Sequence, residues 1–407
     1  MTAASAGLDQ PLTRDPKVLL MAVGHGAIHW IAASWYLLLP FIRDDLGLSY
    51  SEIGILASLF HVSSLAANFP SGTAVDVTAR RVFFQVLALT VGAAGLLLTG
   101  FATGYALVAT MVVLIGATNM LWHPAAITFL SIHFPKRRGA VLSIHALGAN
   151  LGDALAPLAA GAMLVGMTWQ TTAMLNAVPA LLVAAVIMLV LGRFDRERSG
   201  DSQPQTVRDY LGGMGLLLRR REVWTLAIMS GFRSITHSGL LAFLPLYLAD
   251  VLKVNPFMMG LALTLLQVGG AIAAPIAGIA SDRVGRRRVV MAGLWGTTIL
   301  AVALTFVSDP LVYIAGVSIL GFCLYAIRPV IHSWAMDISP PNLGGSMTSL
   351  LFGAQSSLNA LTPLIGGFLA DAFGLVSVFY FLAVTMVIAN MLTFLVPEEA
   401  PKPAPAA

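Results

Sequence analysis

The 407-residue chain has one cysteine and few charges, with Asp, Glu, Lys and Arg together making up 10% of it, against about 25% in soluble domains. The lone Cys323 excludes an intrachain disulfide and any cysteine-based metal cluster; it stands in an apolar run and reads as a small core residue. The shortage of charge argues against a soluble fold. The net charge of +4 does not point to nucleic acid, because Lys and Arg fall in short clusters between apolar runs. No nucleophile, base and orienting group stand together at a catalytic spacing, so the chain is not read as an enzyme. The start, MTAASAGLDQPLTRDP, lacks a basic stretch leading at once into a short apolar core, and no cleaved signal peptide is expected.

Hydrophobic residues make up 57% of the chain. At about 20 apolar residues per crossing, it has room for about a dozen spans. Apolar runs bounded by charge, Pro or Gly predict helices near 18–41, 52–72, 82–101, 105–130, 139–165 and 170–192, then near 223–248, 257–280, 289–307, 310–335, 344–370 and 375–396. The organisation that follows is a cytoplasmic N-terminal segment (1–17), a six-helix bundle (18–192), a polar cytoplasmic linker (193–222), a second six-helix bundle (223–396) and a cytoplasmic tail (397–407). The linker carries Arg193, Arg196, Arg198, Arg208 and Arg219 to Arg221, with a short surface helix expected around Val207 to Leu218, and the Pro-Ala-rich tail is expected to be disordered.

With both termini inside, the cytoplasmic segments hold Arg14, Lys17, Arg80, Arg81, Lys136, Arg137, Arg138, the linker arginines, Arg283, Arg286 to Arg288 and Lys402. The outside holds only Arg43 and Lys253. That asymmetry is the positive-inside pattern of a multi-pass inner-membrane protein with an even number of spans.

The halves repeat at an offset of about 205 residues. Leu39-Pro40 matches Leu244-Pro245, Asp45 matches Asp250, and Gly72, Asp76, Arg80 and Arg81 match Gly278, Asp282, Arg286 and Arg287. Further on, His123-Pro124 matches Arg328-Pro329, Gly139 matches Gly344, Gly148 matches Gly353 and Pro157 matches Pro363. The fold class is therefore all-α integral membrane, with twelve transmembrane helices in two six-helix pseudo-repeats; carriers built from such repeats bind substrate near the bilayer midplane.

These motifs resemble the major facilitator superfamily over almost the whole chain. Its signature after the second helix, G-x-x-x-D-x-x-G-R-[KR], is complete as Gly278, Asp282, Gly285, Arg286 and Arg287. The first-half copy, Gly72, Asp76, Arg80 and Arg81, has Ala79 where the family has Gly, which predicts a looser turn. The resemblance implies that these residues gate access through carboxylate–guanidinium latches. Gly152, Ala156-Pro157 and Ala160-Gly161 are similar to the fifth-helix motif of proton-antiporting exporters, with alanine at two glycine places. His123-Pro124-Ala125-Ala126, Phe134-Pro135 to Gly139 and Gly148-Ala-Asn150-Leu-Gly152 resemble the fosmidomycin-resistance branch of drug exporters; Ala125 stands where members of that branch often carry an acid.

An ionisable group inside a span is costly and marks a functional candidate. His25 and His29 share a face of helix 1, and His145 and Asp153 share a face of helix 5. Arg233 and His237 in helix 7, and Arg328 and His332 in helix 10, are spaced i, i+4; only His133 of the eight histidines is expected in a loop. Asp153 is the only acid well inside a predicted span, so Asp153, His145 and His123 are the candidate proton-coupling set. Arg233, Arg328, His237, His332, His25, His29, Asn150 and Trp122 are the candidate substrate set, the guanidiniums suiting a phosphonate, phosphate or carboxylate.

The expectation is a proton-coupled exporter of a small anionic drug or metabolite, a monomer in the bacterial inner membrane whose partners are its substrate, protons and the lipid bilayer. Organic-anion uptake is the second reading and a histidine-based metal-ion carrier the third. No cofactor is expected. Metal ligation is set aside because the set has no cysteine, one deep acid and two arginines.

Overall fold

The computed structural model describes residues 11–195, 215–340 and 343–397, apart from the side chains of Phe69, Asp76, Gly344 and Gly345. Its long helices are α1 (Pro16–Leu46), α2 (Tyr50–Thr78), α3 (Arg81–Thr99), α4 (Tyr105–His133), α5 (Arg138–Leu164), α6 (Trp169–Leu191), α7 (Arg221–Asp250), α8 (Pro256–Val284), α9 (Arg286–Ala303), α10 (Pro310–Ile338), α11 (Gly344–Phe373) and α12 (Leu375–Thr393). No strand occurs among the described residues. Among the described residues, nine helical segments are long and apolar enough to cross a membrane. Those not among them, α2, α7 and α11, are rich in serine and threonine.

Several helices outrun their apolar cores. α2 continues to Thr78 and α8 to Val284, so Gly72 to Asp76 and Gly278 to Asp282 lie on the last turns of these helices, while Arg81 and Arg286 open α3 and α9. The apolar run marks only the stretch that fits the hydrocarbon layer, and helical hydrogen bonding continues into the headgroup region. His133 is not in a loop: it ends α4, donating from Nδ1 to the Phe129 carbonyl at 2.8 Å. Of the expected linker helix, residues 215–218 are helical. The rest of it, with Arg196, Arg198, Arg208 and the tail beyond residue 397, lies outside the described residues.

The ends are set by local chemistry. Thr168, Asn255 and Asp309 cap α6, α8 and α10 by accepting from the backbone N–H three residues on, and Pro256 and Pro310 occupy first-turn positions where no N–H is needed. Four helix prolines recur between the halves: Pro40 with Pro245, Pro70 with Pro275, Pro124 with Pro329, and Pro157 with Pro363. Each removes one backbone donor and favours a bend.

The chain forms two compact units, Met1–Leu46 with Leu59–Asp201, and Gly47–Ser58 with Ser202–Ala407. In the first, α1 runs along α5 and α6, and α3 packs on α4 and α6. In the second, α7 packs on α11 and α12, α8 on α10, and α9 on α10 and α12. The opening turns of α2 group with the second unit, where the Asp371 carboxylate accepts from the N–H groups of Tyr50 and Ser51 at 2.9 and 2.8 Å.

Candidate functional site

In the first unit the site begins with missing side chains. A Cβ on Gly148 would collide with the Ala22 carbonyl and one on Gly152 with the Gly26 carbonyl, while a Cβ on Gly26 would come within 2.9 Å of the Gly148 carbonyl. These glycines let α1 and α5 approach backbone to backbone. The approach brings His25 and His29 of α1 against His145 and Asp153 of α5, and His123 of α4 closes the group.

The His25 and His145 rings stack at 3.9 Å between centroids, 11° from parallel. His25 Nδ1 donates to the His145 carbonyl at 2.8 Å, and its Nε2 lies 3.3 Å from Nε2 of His123. His123 Nδ1 donates to the Asn119 carbonyl at 2.9 Å. His29 Nδ1 lies 3.0 Å from Oδ2 of Asp153, and both side chains are about one quarter exposed. Trp122 donates its indole N–H to Nε2 of His145 at 3.3 Å.

His145 and Asp153 share a helix face, but eight residues are about 12 Å of helix rise, too far to touch; the partner of Asp153 is His29. His25 and His29, placed with the substrate set by sequence, lie against His145, His123 and Asp153. Trp122 has no exposed surface, so it supports His145 and lines nothing. Asn150 is exposed on α5, one turn before Asp153. Outside the cluster, His61 Nε2 lies 3.1 Å from the Tyr36 hydroxyl.

The second unit holds the cations. Arg233 on α7 is buried, donating Nη2–H to the Leu324 carbonyl at 2.6 Å, while its buried Nε has no hydrogen-bond partner among the described residues. Its guanidinium lies 6.0 Å from the Tyr325 ring centre, and His237 meets the same ring edge-on at 5.3 Å. Arg328, three residues after Tyr325, is exposed. His332 lies against Phe352 at 5.3 Å, and Gln355 donates to the Ser230 hydroxyl at 2.6 Å. No ion-pair partner for Arg233 or Arg328 is present among the described residues. Gln355 escaped the sequence reading because glutamine carries no charge to mark it as costly in a span.

At the motif ends, Arg286 binds Asp282 one turn back, Ser281 Oγ at 2.7 Å and Asp337 of α10 at 3.0 Å. Gly285 has φ +97°, which favours glycine. Ala79 also has a positive φ, +55°, which costs a non-glycine residue roughly 1 kcal/mol. Arg80 donates to Asp195 at 3.2 Å and stacks over Phe83 at 4.3 Å. The Asp76 side chain lies outside the described residues. Arg81 is buried and reaches the Ala79 carbonyl, and the space a Cβ would fill at Gly72 and Gly278 is open. Asp195 was not anticipated, because it lies 115 residues from Arg80.

Twelve long helices in two units that share packing pairs and helix prolines, with ionisable residues held inside apolar spans, define a multi-pass membrane carrier. The chain belongs to the Major Facilitator Superfamily, whose family model matches residues 21–259 and 226–407. The phosphoglycerate transporter protein of Salmonella typhimurium is 22% identical over 91% of this chain and 86% of its own length. The fosmidomycin resistance protein of Escherichia coli is 22% identical over 89% of this chain and 88% of its own. Among solved structures, a bacterial homolog of the human lysosomal transporter Spinster superposes with a TM-score of 0.84 at 16% identity, covering 97% of this chain and 100% of that one.

Proposed function

We propose that this transporter exports a small anionic compound across the bacterial inner membrane in exchange for protons, with both termini cytoplasmic. The observation that carries the anion reading is the pair of second-unit guanidiniums, Arg233 and Arg328, without a carboxylate partner among the described residues. A guanidinium in a span needs a counter-charge, and a phosphonate, phosphate or carboxylate supplies one bidentately. Two relatives are consistent with this by name, one a phosphoglycerate transporter and the other a fosmidomycin resistance protein.

The two arginines divide the work. Leu324 already takes one N–H of Arg233, so Arg233 is a fixed positive wall. Arg328 is the exposed contact, with His237 and His332 beside the path. The Asp153–His29 pair couples protons, and His123 and His145 hold the surrounding imidazoles in place. The two signature motifs gate access, Arg286 through Asp282 and Asp337, and Arg80 through Asp195.

A growth-inhibition panel comparing cells with and without the protein tests the substrate class: protection against phosphonates is expected, and protection against hydrophobic cations alone overturns it. Substrate-driven proton movement in vesicles of known orientation tests direction. Proton and substrate moving the same way would replace export by uptake.

A further inference from the structure

We infer that His25, His29 and His123 form a binding site for a divalent transition-metal ion, with Zn²⁺ as the representative ligand and Asp153 as the residue that orients it. A carbonyl oxygen can only accept, so the bonds from Nδ1 of His25 to the His145 carbonyl and from Nδ1 of His123 to the Asn119 carbonyl fix both tautomers. In both neutral rings Nε2 is then a lone-pair acceptor, and these two acceptors face one another at 3.3 Å. Two lone pairs at that separation repel unless a proton or a metal ion lies between them, and the titration below distinguishes the two.

The distance also has a metric meaning. Zn–N bonds of about 2.0–2.1 Å in a tetrahedron put neighbouring nitrogens about 3.3–3.4 Å apart. One ring nitrogen from each of His25, His29 and His123 lies within 4.8 Å of the other two, a spread that rotation of one imidazole can close.

The surroundings match what metal-binding histidines require. Ligating imidazoles donate their second nitrogen to a carbonyl or carboxylate, which fixes orientation and raises ligand basicity. Here all three do so, to His145 O, Asn119 O and Asp153 Oδ2. His145 is not a fourth ligand, because its Nε2 accepts from Trp122; stacked on His25, it sets the plane of that ring. Three imidazoles with no thiolate suit Zn²⁺, Co²⁺ or Ni²⁺, and the fourth position is left to water or an anionic oxygen. The inference stands apart from the anion reading, since its test reads metal binding and not transport.

The test uses full-length protein purified without a polyhistidine tag, stripped with chelator and titrated with Zn²⁺. One equivalent should bind, with affinity at least tenfold weaker in His29→Ala and in the His25→Gln/His123→Gln double variant. Asp153→Asn should weaken it 10- to 100-fold, and His61→Ala should leave it unchanged. Zn²⁺ binding equal to wild type in a folded double variant, or no stoichiometric binding to wild type, overturns the site. Should the double variant not fold, Co²⁺ added to the wild-type protein decides: intense d–d absorption of tetrahedral cobalt supports the site, and the weak spectrum of the hydrated ion overturns it.

Discussion

His29 of α1 and Asp153 of α5 meet at 3.0 Å although 124 residues separate them, and the contact exists because the helices between them touch backbone to backbone at glycines. The proposed proton coupling and the helix packing thereby rest on one geometry. Asp153→Asn keeps the shape and removes the charge. It should fold normally and still move substrate downhill, but lose the response of transport to an imposed pH gradient. Vesicle uptake with and without the gradient measures this, and a wild-type gradient response would assign coupling elsewhere.

Glycine substitution should separate the halves of the repeat. Gly148→Ala drives a methyl into the Ala22 carbonyl and should destabilise by about 1–3 kcal/mol, as overpacking does. Its repeat partner Gly353 has nothing within 4 Å of the added Cβ, so Gly353→Ala should be neutral or stabilise by up to about 1 kcal/mol through helix propensity. Thermal unfolding in detergent compares them, and equal effects would deny the packing role of Gly148.

Arg328→Lys should keep the fold and raise KM for an anionic substrate at least tenfold, because a lysine cannot form the bidentate contact. Arg233→Lys should instead lower the unfolding midpoint, since the buried Leu324 carbonyl loses its guanidinium donor, at about 1–3 kcal/mol for an orphaned buried polar group. Unchanged anion transport by a stable Arg328→Ala protein would remove Arg328 from the substrate path.

The two motif turns predict opposite signs. Ala79→Gly relieves the strain of a positive φ at +55° and should be neutral to stabilising by up to about 1 kcal/mol, whereas Gly285→Ala forces an alanine to φ 97°, ψ 147°, a region that is essentially glycine's, and should cost about 1–3 kcal/mol. Unfolding midpoints of the two variants check the pair. A loss of stability in Ala79→Gly would contradict the strain at that turn.

Helix number, repeat and family were legible because apolar runs and paired motifs are local in the sequence. The site was legible only as residue types. His145 and Asp153 share a face by periodicity, yet their partners come from α1, and a sequence has no means of placing helices 120 residues apart in register. The glycines at 148 and 152 held that information in principle, since small residues mark where a neighbouring helix comes close. What they did not name was the neighbour. Trp122 was misplaced for a related reason: an aromatic beside a histidine suggests a cavity wall, and only burial distinguishes a wall from a prop. Ala79 misled because a non-glycine residue at that place argues for a relaxed turn, while the backbone there has a positive φ regardless.

Asp195 has a practical consequence for where the protein can be divided. It follows the last turn of α6, at the entrance to the connecting segment, and anchors both the Arg80 side chain and the Phe83 N–H, the latter at 2.7 Å. Co-expressed halves cut at residue 192 would strip the first half of the counter-ion for its own arginine, whereas a cut at residue 200 would retain it. The boundary that hydropathy suggests and the boundary that electrostatics permits differ by only a few residues, and a split-protein complementation assay should find the second alone functional.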